Sequence, residues 1–474
     1  MDAHPLAPWM FAGLVACLLS GFPVAFALAA VATVFGMLGL IAGAFHPEFL
    51  LAMPQRAIGI FFNDNLLAVP FFTFMGMVLE RTGLAEQMLD ALGRLFGRVR
   101  GGLAYAVIAV GAILAATTGT VSASVIAMGL ISLPIMLRYG YDSRVATGVI
   151  AASGTLAQII PPGLVLIVLA EQLEVPLGDI YRAVLLPASM LVAAYMLYVL
   201  GISLIAPKRV PPAPAAAIDE PLRALLARAA ASALPPLLLI AAILASIYFG
   251  VATPSEGGAI GAAGALLIAT AKRRLSLRNL KQAMDTTGII CSCILFLVIG
   301  SSFFTLIFRG FDGHLWIESL FAHLPGGTVG FLVVINVLVF VLAFFLDFFE
   351  IAFIVLPLIV PIAEKMGIDM VWLAVLVATN LQTSFMHPPF GIALFNLRSV
   401  APAQVRTRDI YWGAVPFLLI QLAMVALLVA FPGLVTAERA VEDAATSDLE
   451  LKIPTLFELE QAEGPPEPAK EASR

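Results

Sequence analysis

The sequence predicts an all-α, polytopic membrane protein made of two inverted-topology repeats, each with a re-entrant helical hairpin and a broken helix. Three observations carry this. First, the 474 residues are 61% hydrophobic and 12% charged, with a mean hydropathy of +1.00, whereas soluble domains are about 25% charged. Second, the chain repeats itself. Pro134, Ile135, Gly140 and Asp142 in LPIMLRYGYD recur as Pro361, Ile362, Gly367 and Asp369 in VPIAEKMGID. Third, the same offset carries Pro161-Pro162 onto Pro388-Pro389. Paired helix breakers at matching places in two apolar halves mark a binding site, because unwound backbone at membrane depth is tolerated only when buried in protein or lining a cavity.

A spanning helix needs about 20 apolar residues, and the elements follow from that length. Residues 1–100 hold spans at 7–20 and 22–43, broken at Gly21-Phe22-Pro23, and a third at 58–80. Residues 84–98 mix apolar and charged positions at helical spacing and predict an amphipathic arm on the membrane surface. Residues 101–205 form the first repeat core. Its hairpin, 103–137, has two apolar pieces (103–116 and 125–137) too short to span, around the polar tip TTGTVSAS at 117–124. A broken helix at 145–170 and a span at 183–205 complete it. Residues 206–285 contain the proline-rich linker 207–222, spans at 231–250 and 255–271, and the basic stretch KRRLSLRNLK. Residues 286–432 repeat the plan: a span at 286–308, a hairpin at 328–363, a broken helix at 370–397 and a span at 411–432. The acidic tail, 433–474, is expected to be disordered or loosely packed.

Charge sets orientation. If the first hairpin enters from the cytoplasm and the second from the opposite side, most of the 26 basic residues lie inside. The halves are then inverted and both termini face outward. The opening MDAHPLAPW has no Lys or Arg, so the first apolar run reads as a retained helix, not a cleaved signal. Cys17, Cys291 and Cys293 sit in apolar stretches; no further Cys or nearby His completes a transition-metal site, and packing is expected. The sequence has no G-x-x-x-x-G-K-[ST] phosphate loop, so direct ATP coupling is unsupported.

Four polar islands interrupt the apolar chain. The first is Thr117, Thr118, Gly119, Thr120, Ser122 and Ser124. Hydroxyls and free carbonyls are hard oxygen ligands suited to Na⁺, and half-helix N–H groups can receive an anion. Equally, small polar residues permit close helix packing. Its partner, Ser153, Gly154 and Thr155 ahead of Pro161-Pro162, either completes a cation site, with Gln158 as a further ligand, or marks a simple kink. In FLDFFEI, Asp347 and Glu350 either bind or couple a cation or cap the tip while Phe348 and Phe349 meet substrate; a mid-membrane carboxylate costs about 2.5–3.5 kcal/mol. The last island is Asn380, Gln382, Thr383, Ser384 and His387 before Pro388-Pro389. His387 either binds a carboxylate or packs.

Three stretches carry a family resemblance: AATTGTVSASVIAMGLISLPIMLRYGYD with ASGTLAQIIPPG inside 101–170, FLDFFEIAFIVLPLIVPIAEKMGID at 345–369, and ATNLQTSFMHPPFGIALFNLRSVAP at 378–402. They resemble the large permease (DctM or M subunit) of TRAP, the tripartite ATP-independent periplasmic transporters. The likeness extends from about 7 to 432 and leaves out the tail. It implies an elevator-type secondary transporter and no enzyme, importing a small organic acid (carboxylate) across the bacterial inner membrane. Na⁺ is the coupling ion and no other cofactor is implied. The implied partners are a small four-helix membrane subunit, a periplasmic substrate-binding protein and membrane lipid, with no nucleic acid. It further implies Na⁺ binding by Thr118, Gly119, Thr120, Ser124, Ser153, Gly154, Thr155, Pro161, Asp347, Glu350, Asn380, Gln382, Thr383 and Pro388. Thr117, Ser122, Phe348, Phe349, Ser384 and His387 are expected to bind substrate. The bulky FLDFFE tip departs from the smaller tips of many relatives, which weakens a transfer of sialic-acid or simple four-carbon dicarboxylate specificity; an apolar or 2-oxo acid fits the resemblance equally well. A stand-alone Na⁺/carboxylate symporter and a non-transporting membrane scaffold are the alternatives.

Overall fold

The computed structural model describes residues 5–436 apart from 119, 215–219, 322–324, 345, 347, 389 and 390. The predicted sites Gly119 and Asp347 therefore lie outside the described residues, as does the tail beyond 436. The described part is all-α. The N-terminal elements are α1 (Leu6–Leu19), α2 (Val24–Ile41), α3 (Pro47–Leu50), α4 (Ala52–Phe61), α5 (Asp64–Glu80) and the arm α6 (Leu84–Phe96). The next group is α7 (Gly102–Thr118), α8 (Val121–Arg138), α9 (Ser143–Thr155), α10 (Leu164–Gln172) and the long α11 (Leu177–Ile205). Two more, α12 (Leu222–Tyr248) and α13 (Pro254–Ala271), lead to α14 (Leu277–Gly310) and the short α15 (Gly313–Phe321). The chain ends with α16 (Gly327–Leu342), α17 (Phe348–Ile354), α18 (Leu356–Lys365), α19 (Met370–Ser384), α20 (Ile392–Val400) and α21 (Thr407–Ala430). Among the described residues, six helices are long and apolar enough to cross a membrane, or seven if the bent pair 47–61 and 64–80 is one span.

The elements depart from sequence expectation in four places, each with a local cause. The 58–80 span divides at Asn63, whose side chain accepts from the N–H groups of Asn65 and Leu66, and the two parts meet at 48°. The first hairpin's polar tip is mostly helical. Thr117 and Thr118 close α7 and Val121–Ser124 open α8, so α8 reaches 18 residues, long enough to span. Small hydroxylated residues bond back to their own helix and need no loop. The piece expected at 351–363 breaks at Val355, because Pro357 has no N–H to give the Phe353 carbonyl. That carbonyl instead accepts the Ser301 hydroxyl of α14 at 2.6 Å. The 286–308 span begins earlier, at Leu277, so the second part of the basic stretch is helical.

Packing sorts most helices into two sets. In one, α5 lies on α13, α2 on α14, and α12 on α13. The face of α13 here is Gly257, Gly258 and Gly261; a Cβ at Gly261 would stand 2.7 Å from the Met75 Sδ, so the stripe permits the close approach that substitutes for a hydrophobic drive between helices in lipid. In the other set, α9 lies against α21, α8 and α7, and α19 against α21 and α16. Here a Cβ on Gly148 would stand 2.1 Å from the Gly413 carbonyl oxygen, which places α9 and α21 backbone to backbone. The linker is not loose where described. The Gly101 N–H donates to the Val210 carbonyl at 2.9 Å, that of Asp142 to Arg209 at 2.9 Å, and that of Ala213 to Gly97 at 2.8 Å. It straps the base of the first hairpin to the arm. At the other end, residues 433–436 form a helical turn with Val435 buried, so tail character starts later than 433.

Candidate functional site at the two helix interruptions

Both broken helices are anchored at one end and open in the middle. Asp142 caps α9 through the Arg144 N–H at 2.8 Å, and Asp369 caps α19 through the Trp372 N–H at 2.7 Å. These aspartates match at the repeat offset. The inner halves, α10 and α20, start at Gly163 and Gly391 with no side-chain cap. At α10 the N–H groups of Leu164 and Val165 have no backbone partner among the described residues, whereas at α20 the Ala393 N–H donates to the Phe385 carbonyl at 3.2 Å and the Ile392 N–H is left; both starts keep a positive dipole end. Glycine is required at both starts by close approach. A Cβ at Gly163 would lie 2.8 Å from the Ala157 carbonyl, and one at Gly391 2.5 Å from that of Phe385.

The two interruptions meet. Gln382 Nε2 donates to Thr155 Oγ1 at 3.1 Å, and the two residues are 227 apart, the offset of the repeat. Gln421 of α21 donates to the same hydroxyl at 3.3 Å and to the Tyr195 hydroxyl of α11 at 2.9 Å. Four elements thus converge on one buried oxygen. The turn at 156–158 also contacts α7, α8 and α19, and α17 contacts α10, so elements of both hairpins border the first interruption.

The hydroxyls share one habit. Thr117 donates to the Leu114 carbonyl (3.0 Å), Ser153 to Val149 (2.6 Å), Thr155 to Ala152 (2.8 Å), Thr383 to Asn380 (2.6 Å) and Ser384 to Leu381 (2.6 Å). Each spends its only proton on its own helix and presents lone pairs outward, which suits a cation or an N–H donor and repels an anion. Buried oxygens without a hydrogen-bond partner among the described residues include Thr120 Oγ1, Gln158 Oε1, Gln382 Oε1 and Gln421 Oε1. Unpaired acceptors in a region this apolar call for a ligand or ordered water.

The remaining predicted residues are distributed around this centre. Thr118 ends α7, Ser122 is half-buried in the first turn of α8, and Ser124 is buried beside it. A Cβ on Gly154 would meet Val125 Cγ2 at 2.2 Å, which locks α9 onto α8. Pro161 is buried and Pro388 half-buried, both outside regular helix. Glu350 lies in the first turn of α17, where the helix dipole favours a carboxylate. Phe348 is buried with its ring 4.7 Å from Phe349. His387 stacks on Phe344 with centroids 4.4 Å apart and takes the edge of Phe340 at 4.2 Å. Asn380 turns from the centre and donates to the Asn336 carbonyl at 2.7 Å and Oδ1 at 3.0 Å. Beside this pair a cavity of about 580 Å³ opens between α16, α19 and α21, apolar but for the two asparagines.

This frame matches a family model, "Tripartite ATP-independent periplasmic transporter, DctM component", over residues 11–434. The chain belongs to the DctM family. It is a multi-pass membrane protein of a transporter family. Relatives include the C4-dicarboxylate TRAP transporter large permease protein DctM of Pseudomonas aeruginosa, 27% identical over 82% of this chain and 89% of that one. The ectoine TRAP transporter large permease protein TeaC of Halomonas elongata is 27% identical over 89% of this chain and 96% of that one. The sialic acid TRAP transporter large permease protein SiaM of Vibrio cholerae is 26% identical over 89% and 95%. In three dimensions the chain resembles the Alcanivorax borkumensis YdaH transporter, described as having an unusual topology, with a TM-score of 0.60 at 16% identity over 90% of this chain and 98% of that one. At that identity the likeness speaks to fold alone. Tyr195 and Gln421 of the central network, and Asn336 beside the cavity, were not expected from sequence. Each is a polar side chain within a long apolar run, and that isolation is the signal that could have marked them.

Proposed function

We propose that this DctM chain imports a small organic acid, with Na⁺ as the coupling ion and an elevator movement as the mechanism. The observation that carries the proposal is the meeting of equivalent residues Thr155 and Gln382 at the two interruptions. Outward lone pairs on Thr117, Ser153, Thr383 and Ser384 provide oxygen ligands for Na⁺, together with Thr120 Oγ1 and Gln158 Oε1, while Thr155, whose oxygen already accepts from Gln382 and Gln421, holds the two interruptions together. The N–H groups of Leu164 and Val165 at the start of α10, with that of Ile392 at the start of α20, are offered to a carboxylate. A cation and an anion then occupy adjoining places, and each offsets the desolvation cost of the other. Each net positive charge moved inward gains about 2.3 kcal/mol per 100 mV, so Na⁺ in excess of the substrate's charge, two or more with a monoanion or three or more with a dianion, lets the membrane potential add to the Na⁺ gradient and concentrate substrate without ATP. In this reading the set with α7–α9 and α16–α21 moves against the set with α2, α5, α13 and α14. The inner membrane, outward termini, a small four-helix subunit and a periplasmic binding protein belong to the same proposal. The relatives' names span dicarboxylate, ectoine and sialic acid, so the proposal stops at the carboxylate class.

The test is uptake into proteoliposomes holding both membrane subunits and the binding protein, with candidate acids offered under imposed ion gradients. Accumulation that follows an inward Na⁺ gradient is expected. Accumulation indifferent to Na⁺ overturns the coupling, and transport by this chain alone favours the stand-alone symporter.

A further inference from the structure

The long helix α14 outruns the membrane it crosses. Its 34 residues span about 51 Å at 1.5 Å per residue, against a hydrocarbon core of about 30 Å and about 40–45 Å with headgroups. The surplus falls at the charged end. Arg278, Lys281 and Asp285 occupy the first turns, and the apolar run follows. Immediately before lie Lys272, Arg273 and Arg274, at the turn where α13 ends; Arg273 takes a left-handed φ of +53° that reverses the chain there. The turn is fixed by Ser276, whose Oγ accepts the Asn279 N–H at 3.1 Å, and by Asn279 Nδ2, which donates to the Arg274 carbonyl at 3.3 Å.

Only one of these cations is engaged, and by a neutral group. Lys272 donates to Gln87 Oε1 of the arm at 2.9 Å, while nearby Arg81 donates to Gln282 Oε1 at 2.7 Å. Arg273, Arg274, Arg278 and Lys281 are exposed, and their side chains have no hydrogen-bond or ion-pair partner among the described residues. Asp285 lies one turn after Lys281 but makes no salt bridge with it; the acidic residues of the adjoining α5 and α6 are Asp64 at the far end of α5, Glu80, Glu86, and Asp90, which pairs with Arg94 at 2.9 Å. Between the cations stand Leu275, Leu277 and Met284, exposed by 38%, 87% and 57%. Unpaired cations alternating with bare apolar side chains fit the boundary between acyl chains and phosphates.

We propose that the α13–α14 turn and the first two turns of α14 bind the phosphate headgroup of an anionic phospholipid. Leu275, Leu277 and Met284 would lie along its acyl chains. Lys272–Gln87 and Arg81–Gln282 tie the patch to the arm α6, so a bound lipid braces the α13–α14 end against the arm. The site is independent of substrate and of Na⁺ coupling.

The test is native mass spectrometry of the full chain in detergent, titrated with phosphatidylglycerol and, separately, phosphatidylcholine. Phosphatidylglycerol is expected to bind preferentially. The exposed-site variant R274Q/R278Q should weaken it about 25-fold, at roughly fivefold per charge, and R274K/R278K should retain it. An unchanged size-exclusion profile and unfolding midpoint will show that the glutamine variant folds. Equal binding of the two lipids, or unchanged phosphatidylglycerol binding in the folded glutamine variant, overturns the site.

Discussion

Thr155→Val removes the one oxygen on which the two broken helices meet. The wild-type hydroxyl accepts from Gln382 at 3.1 Å and Gln421 at 3.3 Å. Valine keeps the β-branched shape and takes away the acceptor. Gln382 Nε2 then has no partner among the described residues, whereas Gln421 keeps Tyr195. A buried donor left unpaired costs about 1–3 kcal/mol and a lost neutral hydrogen bond about 0.5–1.5 kcal/mol, so the variant should lose about 1.5–4.5 kcal/mol. Gln382→Leu alone should cost only about 0.5–1.5 kcal/mol, because Thr155 still accepts from Gln421. Combining them removes both ends of one bond. The double variant should therefore be about 1–3 kcal/mol more stable than Thr155→Val alone. Unfolding of the purified chain in one detergent, followed by tryptophan fluorescence, measures all four corners of this cycle. A Thr155→Val protein that unfolds like wild type would refute the contact, as would a double variant whose loss equals the sum of the single losses.

Two further outcomes are expected in the same assay. Gly148→Ala should cost about 3 kcal/mol or more, since the new methyl meets backbone, while Gly201→Ala, with nothing within 4 Å, should be close to neutral; equal effects would contradict the α9–α21 packing. Ser301→Ala strands the Phe353 carbonyl and should cost about 1–3 kcal/mol. Adding Pro357→Leu should restore much of that, because the helix then supplies the N–H; no recovery would mean that Pro357 does not cause the break.

Much of this arrangement was legible in the sequence. Pro161-Pro162 and Pro388-Pro389 cannot continue a helix, and Pro161, Pro162 and Pro388 all lie in the interruptions of the structure. Asp142 and Asp369, matched in the repeat, stand just ahead of the two expected broken helices and cap α9 and α19. The extent of the first tip was not legible, because Ser122 and Ser124 suit a loop and a helix start equally well. Nor were the partners of Thr155. Tyr195 and Gln421 lie far from it in sequence, and only tertiary packing aligns them. Phe344, near the second tip, pairs with His387, a contact between two elements that spacing cannot foretell.

The proposed elevator movement requires the interruptions to line a chamber that water reaches from each side in turn. The direct measurement is the labelling rate of Ser122→Cys by a membrane-impermeant maleimide, applied to either face of vesicles, in a chain with Cys17, Cys291 and Cys293 replaced. The prediction is reaction from both faces, slowed by Na⁺. A thiol inert from both faces, or equally reactive with and without Na⁺, would contradict it.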